Sequence, residues 1–315
     1  MKALITGITG FVGSHLADYL IDREHIEVHG VRRPRSRNDF LRYDVYYHEG
    51  DVTDLTSMNI IIKQLHPDYI FHLASQSYVP LSWQAPQATL TANAIGTLNV
   101  LDATKDNCPE AIIQVAGSSE EYGHVFPSEC PITELQPLRP LSPYGVSKVA
   151  SDFLARQYHE SYGLNVIITR AFNHTGPRRG EQFICSKIAR QLALIKLDEA
   201  DPVLTLGNLD AVRDFTDVRD MVKAYWLAAN RCTPGIPYNI GSGVGHTINE
   251  VVQLLVRISG CQPRIQQNQG LMRPSDVPRL ICDSATFRSV TGWEPEIPFE
   301  QTLKDLFNYW MMKEK

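Results

Sequence analysis

The chain has 315 residues, of which 43% are hydrophobic and 21% charged, and its net charge is −5. That composition is globular, and the length suits one large domain or two unequal lobes sharing a cleft. It excludes two broad classes: there is no basic, aromatic-interleaved surface for nucleic acid, and no apolar run approaches the roughly 20 residues that span a bilayer.

The chain opens with a short apolar run, "KALIT" (2–6), which reads as a strand. It ends in the glycine-rich "TGITGFVG" and passes into "SHLADYLID" at helical spacing. "IEVHGV" (26–31) and part of "YDVYYHEGD" (43–51) follow as strands, then "TSMNIIIKQL" (56–65) as a helix. "DYIFHLAS" (68–75) is a further strand, and "ATLTANAIGTLNVLDATK" (88–105) a long helix. Next come the strand "AIIQVAG" (111–117), a helix over 142–162 closed by Gly163, and the strand "LNVIITRAFN" (164–173). Near-continuous apolar strands alternating with helices predict an α/β fold with a parallel, doubly wound Rossmann sheet.

After "NHTGPRR" the rhythm changes. The short strands "PVLTL", "IPYNI" and "PRIQ" mix with four helical segments, and prolines become dense. We expect a Rossmann domain over 1–172, completed by parts of 208–240, and a smaller mixed α/β substrate lobe over most of 173–315.

Gly7, Gly10 and Gly13 stand at GxxGxxG spacing between the first strand and the first helix. Bare backbone there lets a pyrophosphate approach the helix N-terminus closely. A merely glycine-rich turn is the plainer reading, but the position between strand and helix argues against it. NAD sites carry an acidic residue after the second strand; here Arg32 and Arg33 stand instead. Guanidinium groups suit a 2′-phosphate, so NADP is the expected cofactor. Asp51 is placed to reach the adenine, and Leu73, Ala74 and Ser75 to run beside the nicotinamide ribose.

"SPYGVSK" places Tyr144 and Lys148 four residues apart on one helix face. A phenol is a poor base near neutrality, and a lysine one turn away, with an oxidised nicotinamide, favours its phenolate. Ser118, at the strand end before them, is placed to hold a sugar hydroxyl. Six cysteines, at 108, 130, 185, 232, 261 and 282, stand far apart without metal-ligand spacing. They read as reduced thiols, and no metal is expected. Met1-Lys2 runs straight into the first strand without a secretory signal, so a cytoplasmic location is expected.

With these motifs the chain resembles the extended short-chain dehydrogenases/reductases. "HLASQSYVPLSW", "GSSEEYG", "SPYGVSK", "AFNHTGPRRGEQF", "LGNLDAVRDFTDVRD" and "RPSDVP" narrow the resemblance to enzymes of GDP-mannose metabolism, the 4,6-dehydratases and the 4-keto-6-deoxymannose reductases. It covers nearly the whole chain and implies a GDP-sugar substrate. Carried over residue by residue, it makes Ser118, Glu120, Tyr144 and Lys148 the catalytic set. It puts His174 beside the nicotinamide ribose, and Ser77, Asn173, Lys187, Arg213, Arg273 and Asp276 on the nucleotide sugar. Asp276 replaces the usual glutamate of its motif.

The dehydratase chemistry implied by the resemblance gives Glu120 a task, removing the carbon-5 proton and passing it to the departing carbon-6 hydroxyl. With an extended backbone, Ser118 and Glu120 share one face while Glu121 points away in a structural role. Three alternatives stay open: the keto-reductase, which would make GDP-rhamnose; another nucleotide-sugar dehydratase or epimerase; and an NADP-binding sensor without turnover. The resemblance further implies a homodimer built on the helices near 84–106 and 142–162, or a tetramer using the loop after the second strand.

Overall fold

The computed structural model describes residues 1–34, 40–271 and 277–315. Its first lobe runs β1 (Lys2–Thr6), α1 (Phe11–Asp22), β2 (Glu27–Arg32), β3 (Tyr46–Glu49), α2 (Leu55–Leu65), β4 (Tyr69–His72), α3 (Val79–Gln84), α4 (Pro86–Leu90), α5 (Gly96–Asn107), β5 (Ile112–Ser118), α6 (Pro143–Tyr162) and β6 (Asn165–Ala171). Then come β7 (Asn173–Thr175), α7 (Ile184–Lys196), β8 (Val203–Leu206), β9 (Val212–Asp217), α8 (Val218–Arg231), β10 (Pro237–Ile240), β11 (Gly245–Thr247), α9 (Ile248–Ser259), β12 (Arg264–Gln267), β13 (Arg279–Leu280), α10 (Ala285–Thr291) and α11 (Phe299–Lys313).

Seven parallel strands form the main sheet in the order β10-β6-β5-β4-β1-β2-β3. The strand order reverses between β1 and β4, the switch point where such sheets open a crevice beyond their carboxyl ends. Both faces are covered, which is why β4 is buried along its whole length. Leu16, Leu20, Met221 and Tyr225 of α1 and α8 pack one face; Ile61, Ile62, Val100 and Leu101 of α2 and α5 pack the other. Although β10 lies far along the chain, it pairs with β6 from Pro237↔Ile168 to Ile240↔Ala171. A second sheet, β11-β9-β13 with β7 on β9, joins the lobes; its short strands were not anticipated.

The second lobe packs α7, α9 and α11 around Leu192, Leu255 and Leu306. Ile248, Val251, Val252 and Leu255 of α9 recur at helical spacing and are buried. That helix starts on a reciprocal Thr247/Glu250 cap and ends on Gly260 in the left-handed region. Helix α6 likewise ends on left-handed Gly163, as its sequence predicts.

The long helix expected over 88–105 is present as a continuous helical run from Pro86 to Asn107, with a π-helical turn at Thr91–Ile95 that its sequence does not announce. Wide turns of this kind cluster at functional sites. This one aims Asn93 inward, where Oδ1 accepts from Gln76 N at 2.7 Å and Nδ2 donates to Ser147 Oγ at 2.8 Å. The side chain thereby ties the loop after β4 to α6.

Buried His72 lies under the same edge, bridging Thr6 Oγ1 at 2.9 Å and Thr97 Oγ1 at 3.1 Å. Burial, helped by nearby Lys148, drops its pKa from 6.5 to about 3. Burial also drops His15 to about 4. The unfolded chain therefore binds more protons than the native one as pH falls below 6.5, so stability is fully present above that value and is lost below it. The melting temperature is expected to fall from pH 7 to pH 5, less steeply in His72→Gln; a flat profile would contradict the assignment.

Candidate active site

Beyond the carboxyl ends of β1, β4, β5 and β6 lies a cavity of about 400 Å³ between the two lobes. Its floor is the turn from β1 into α1. Gly7 has φ +74, and a Cβ on it would sit 2.9 Å from Ala74 Cα and N. A Cβ on Gly13 would run into Gly7 O. Only glycine lets these two backbones meet and leaves the α1 N-terminus bare. All three motif glycines except for their absent side chains face the cavity as lining, together with Leu73, Ser75 and Ser77. Ala74 contributes its backbone against Gly7, and its N–H donates to Thr6 Oγ1 at 3.2 Å.

Strand β5 delivers Ser118 to the same wall, but the backbone beyond it is not extended. Ser119–Glu121 form a 3₁₀ turn capped reciprocally by Ser118 and Glu121. Ser118 Oγ accepts from Glu120 N at 3.2 Å, and both Ser118 and Glu120 still line the cavity. Glu121 does not point out to solvent; it is fully buried under the turn, where Oε1 accepts from Ser118 N at 2.6 Å. The two-residue alternation of a strand fails here because a cap, and not a ladder, satisfies the Ser118 N–H.

Helix α6 opens on Ser142, whose Oγ accepts from Gly145 N at 3.0 Å, and presents Tyr144 and Lys148 from the opposite wall. Gly145 permits the approach, since a Cβ there would lie 2.7 Å from Glu120 O. Burial pushes the Tyr144 phenol up to about 12, against the pull of a Ser118 hydrogen bond and of Arg179. Lys148 Nζ stands 6.0 Å from the Tyr144 ring centroid and donates to Ala116 O at 2.7 Å. Burial brings it down to about 8. Burial therefore outweighs the lowering of the phenol expected from Lys148, whose ammonium bonds the β5 backbone and not the phenol oxygen.

Asn173, His174 and Arg213 also line the cavity. His174 stacks on Phe11 at 6.1 Å with 6° between the planes, and burial with nearby Arg179 lowers it to about 4. Lys187 is half-buried on α7 and is not part of the lining. Asp51 is not part of it either; its Oδ1 accepts from Thr53 N at 3.0 Å and Thr53 Oγ1 at 2.9 Å. Arg32 ends β2 outside the lining, its guanidinium 5.4 Å from the Tyr47 ring and 3.7 Å from Glu49. Its Nε is buried without a hydrogen-bond partner. Arg33 is exposed beside it. Arg273 and Asp276 lie outside the described residues.

Arg179 and Tyr225 are among the lining residues that the sequence reading does not name. Arg179 lies 3.4 Å from the Phe183 ring centroid and 4.8 Å from that of Phe11, and burial lowers it to about 10. Its signal was the second arginine of "GPRRG", followed by an aromatic four residues on. Tyr225 of α8 faces Tyr144 and Arg179 and is raised by burial; in the sequence it looks like one more core residue of an amphipathic helix. Among the described residues no helix is long and apolar enough to cross a membrane.

Comparison with known proteins gives a consistent result. The model of the family described as GDP-mannose 4,6 dehydratase matches residues 4–306. The GDP-mannose 4,6-dehydratase of Yersinia enterocolitica is 32% identical over 97% of this chain and 92% of its own length. The GDP-mannose 4,6 dehydratase 2 of Arabidopsis thaliana is 35% identical over 96% and 84%. The GDP-6-deoxy-D-mannose reductase of Pseudomonas aeruginosa is 33% identical over 98% and 97%. Among solved structures, RMD from Pseudomonas aeruginosa complexed with NADPH superposes with a TM-score of 0.88 at 33% identity, covering 99% of each chain. DesIV, a dTDP-glucose 4,6-dehydratase from Streptomyces venezuelae with NAD and TYD bound, gives 0.91 at 25% identity over 100% and 98%.

The glycine cradle is testable by itself. Gly13→Ala forces a methyl group into Gly7 O, a clash that costs about 1–3 kcal/mol if the backbone yields. Dinucleotide binding followed by NADPH fluorescence is expected to weaken at least about tenfold for about 1.4 kcal/mol lost. Undiminished binding would show that the turn is not the cofactor cradle.

Proposed function

The chain belongs to the GDP-mannose 4,6-dehydratase family, and we propose that it converts GDP-mannose to GDP-4-keto-6-deoxymannose and water with NADP recycled internally. The observation that supports this most is Glu120, a carboxylate on the cavity wall beside Ser118 and opposite Tyr144. Oxidation of a sugar hydroxyl needs only the serine, tyrosine and lysine. Loss of water needs a further base and acid, and among the described residues Glu120 is the carboxylate that lines the cavity.

The residues fit a dinucleotide. Gly7, Gly10 and Gly13 leave the room a pyrophosphate requires, and the buried, unpartnered Arg32 Nε is a donor suited to a 2′-phosphate. Arg33 stands next to it as a second cation. Leu73, Ser75 and His174 flank the reactive end, with Tyr144 and Lys148 on the ribose. Bound NADP supplies hydride acceptance at carbon 4 and hydride return at carbon 6.

The chain's own groups do the rest. Ser118 holds the carbon-4 hydroxyl, and Tyr144 takes its proton. The phenol of Tyr144, pushed up to about 12, reaches phenolate only with positive charge close by; Lys148, Arg179 and oxidised nicotinamide provide it. The new ketone acidifies carbon 5, and Glu120 removes that proton and gives it to the leaving carbon-6 hydroxyl. Ser77, Asn173 and Arg213 take the sugar and its diphosphate within the cavity. Lys187, Arg273 and Asp276 are proposed as outer nucleotide contacts, and Asp51 as an adenine contact. We place a homodimer on α5 with the π-helical turn before it and on α6, where Ile95, Val146 and Phe153 are exposed, and a cytoplasmic location suits a soluble GDP-sugar substrate.

One observation favours the keto-reductase as a second reading. This chain covers 97% of the Pseudomonas reductase but 84–92% of the two dehydratases named above. Incubation with GDP-mannose and catalytic NADP+ separates the two. The 4-keto-6-deoxy product without net NADPH is expected; no product, with NADPH consumed only when the keto sugar is supplied, identifies the reductase. Glu120→Gln and Tyr144→Phe are each expected to lower kcat by about 10²–10⁴-fold, with oxidation at carbon 4 surviving only in the first. Arg32→Ala is expected to weaken NADP+ more than NAD+, and equal loss would remove the 2′-phosphate assignment.

A further inference from the structure

We propose that Glu121 is a positioning residue for this reaction, its buried carboxylate locking the Ser118–Glu120 turn and facing the ammonium of Lys148 with negative charge. The inference rests on the roles given above to Ser118 and Lys148. It concerns a group that touches neither cavity nor substrate: Glu121 is fully buried and is absent from the lining.

The last three residues of β5 are held by two opposite charges. Lys148 Nζ donates to Ala116 O at 2.7 Å, and Glu121 Oε1 accepts from Ser118 N at 2.6 Å. Between those two points stands Gly117, where a Cβ would lie 2.6 Å from Glu121 Oε1 and 2.8 Å from Thr169 O. The strand thus has a gap that the carboxylate fills. Any displacement of Glu121 moves Ser118, the 3₁₀ turn and, through the turn, Glu120.

A carboxylate in such a place needs partners, since an unpaired buried charge costs several kcal/mol. Arg170 of β6 supplies one, with Nε 3.3 Å from Glu121 Oε2 and 2.9 Å from Asp152 Oδ2 of α6. The Arg170 guanidinium also donates to Tyr122 Oη at 3.0 Å and lies 5.1 Å from the centre of that ring. Glu121 Oε2 has no hydrogen-bond partner, and Arg170 serves two carboxylates at once. Burial and Asp152 raise the Glu121 carboxyl; Arg170, the Ser118 N–H and Lys148 oppose them. Reciprocally, Glu121 holds up Lys148 against the burial that brings it to about 8. The other groups facing Lys148 are Tyr144 on its own helix and neutral His72 on β4. An apolar residue at 121 would leave the buried Ser118 N–H without an acceptor. Glutamine would satisfy that donor, and the charge facing Lys148 is what glutamine would not provide.

Wild type, Glu121→Gln and Glu121→Asp separate the two roles. Glutamine keeps an acceptor for the Ser118 N–H and removes the charge; aspartate keeps the charge and withdraws the acceptor by one methylene. With GDP-mannose, Glu121→Gln is expected to lower kcat about tenfold, equivalent to about 1.4 kcal/mol, with KM little changed. Its alkaline limb, where Lys148 loses its proton, is expected to move to lower pH. Glu121→Asp is expected to lower kcat severalfold with that limb unmoved. Identical limbs in wild type and Glu121→Gln overturn the proposal whatever the melting temperatures. Should Glu121→Gln melt below the assay temperature, Glu121→Asp decides alone, and an unchanged kcat overturns the positioning role. Should wild type not turn over GDP-mannose, the dehydratase reading fails while this one is still read from the pH dependence of NADP+ affinity. There, a midpoint lower in Glu121→Gln than in wild type supports it, and a shared midpoint overturns it.

Discussion

The backbone of Gly7 lies against the backbone of Leu73 and Ala74, and the rest of the site depends on that approach. A Cβ at Gly7 would come within 2.9 Å of Ala74 Cα and 3.1 Å of Leu73 C, so one methyl group would part β1 from the loop after β4. Thr6 Oγ1 secures the contact by accepting from Leu73 N and Ala74 N at 3.2 Å each, with His72 Nδ1 at 2.9 Å. This is the point where the strand order of the sheet reverses. The crevice opens there, the α1 N-terminus faces it, and the ends of β5 and β6 form its far wall. A close contact of bare backbones thus sets where a dinucleotide fits, and the dinucleotide's place in turn sets which side chains can meet a sugar.

The far wall divides its two carboxylates by local backbone geometry. If β5 continued past Ser118, neighbouring residues would alternate between faces. The 3₁₀ turn instead leaves Glu120 on the cavity and folds Glu121 back beneath Ser118. The half-buried member faces the cavity, where the proposed reaction needs it to exchange protons with a substrate. The buried member is held by Arg170 and the Ser118 N–H, and it is removed from that exchange. Adjacent identical residues are therefore placed in different surroundings, one on the cavity and one beneath the turn.

Much of the first lobe was legible because its strands are buried on both faces and its helices carry apolar stripes, patterns that need only local sequence. The second sheet was not, since β7, β11 and β13 span only two or three residues each and exist through partners far along the chain. Asn173–Thr175, for example, lies beside Phe215–Asp217, a pairing that no periodicity announces. The π-helical turn at Thr91–Ile95 was hidden in the same way, because its cause is the reach of Asn93 to Gln76 and Ser147. Glu121 was readable in part: Ser118 and Glu121 form the S-x-x-E spacing of a capping box, which argues for a turn where an extended chain was expected. The cavity gathers Ser118 from β5, Glu120 from the turn after it, and Tyr144 and Lys148 from α6; the motifs and the family resemblance point to all four. Arg179 and Tyr225 needed the fold, because only packing separates a cavity-facing arginine or tyrosine from a surface or core one.

The central claim is that one cavity oxidises carbon 4, expels water across carbons 5 and 6, and returns the same hydride to carbon 6. GDP-mannose carrying deuterium on carbon 4 tests it directly. The account predicts a 4-keto-6-deoxy product with that deuterium on carbon 6, formed with NADP+ far below stoichiometric amounts. Deuterium released into the NADPH pool, or recovered still on carbon 4, would contradict it.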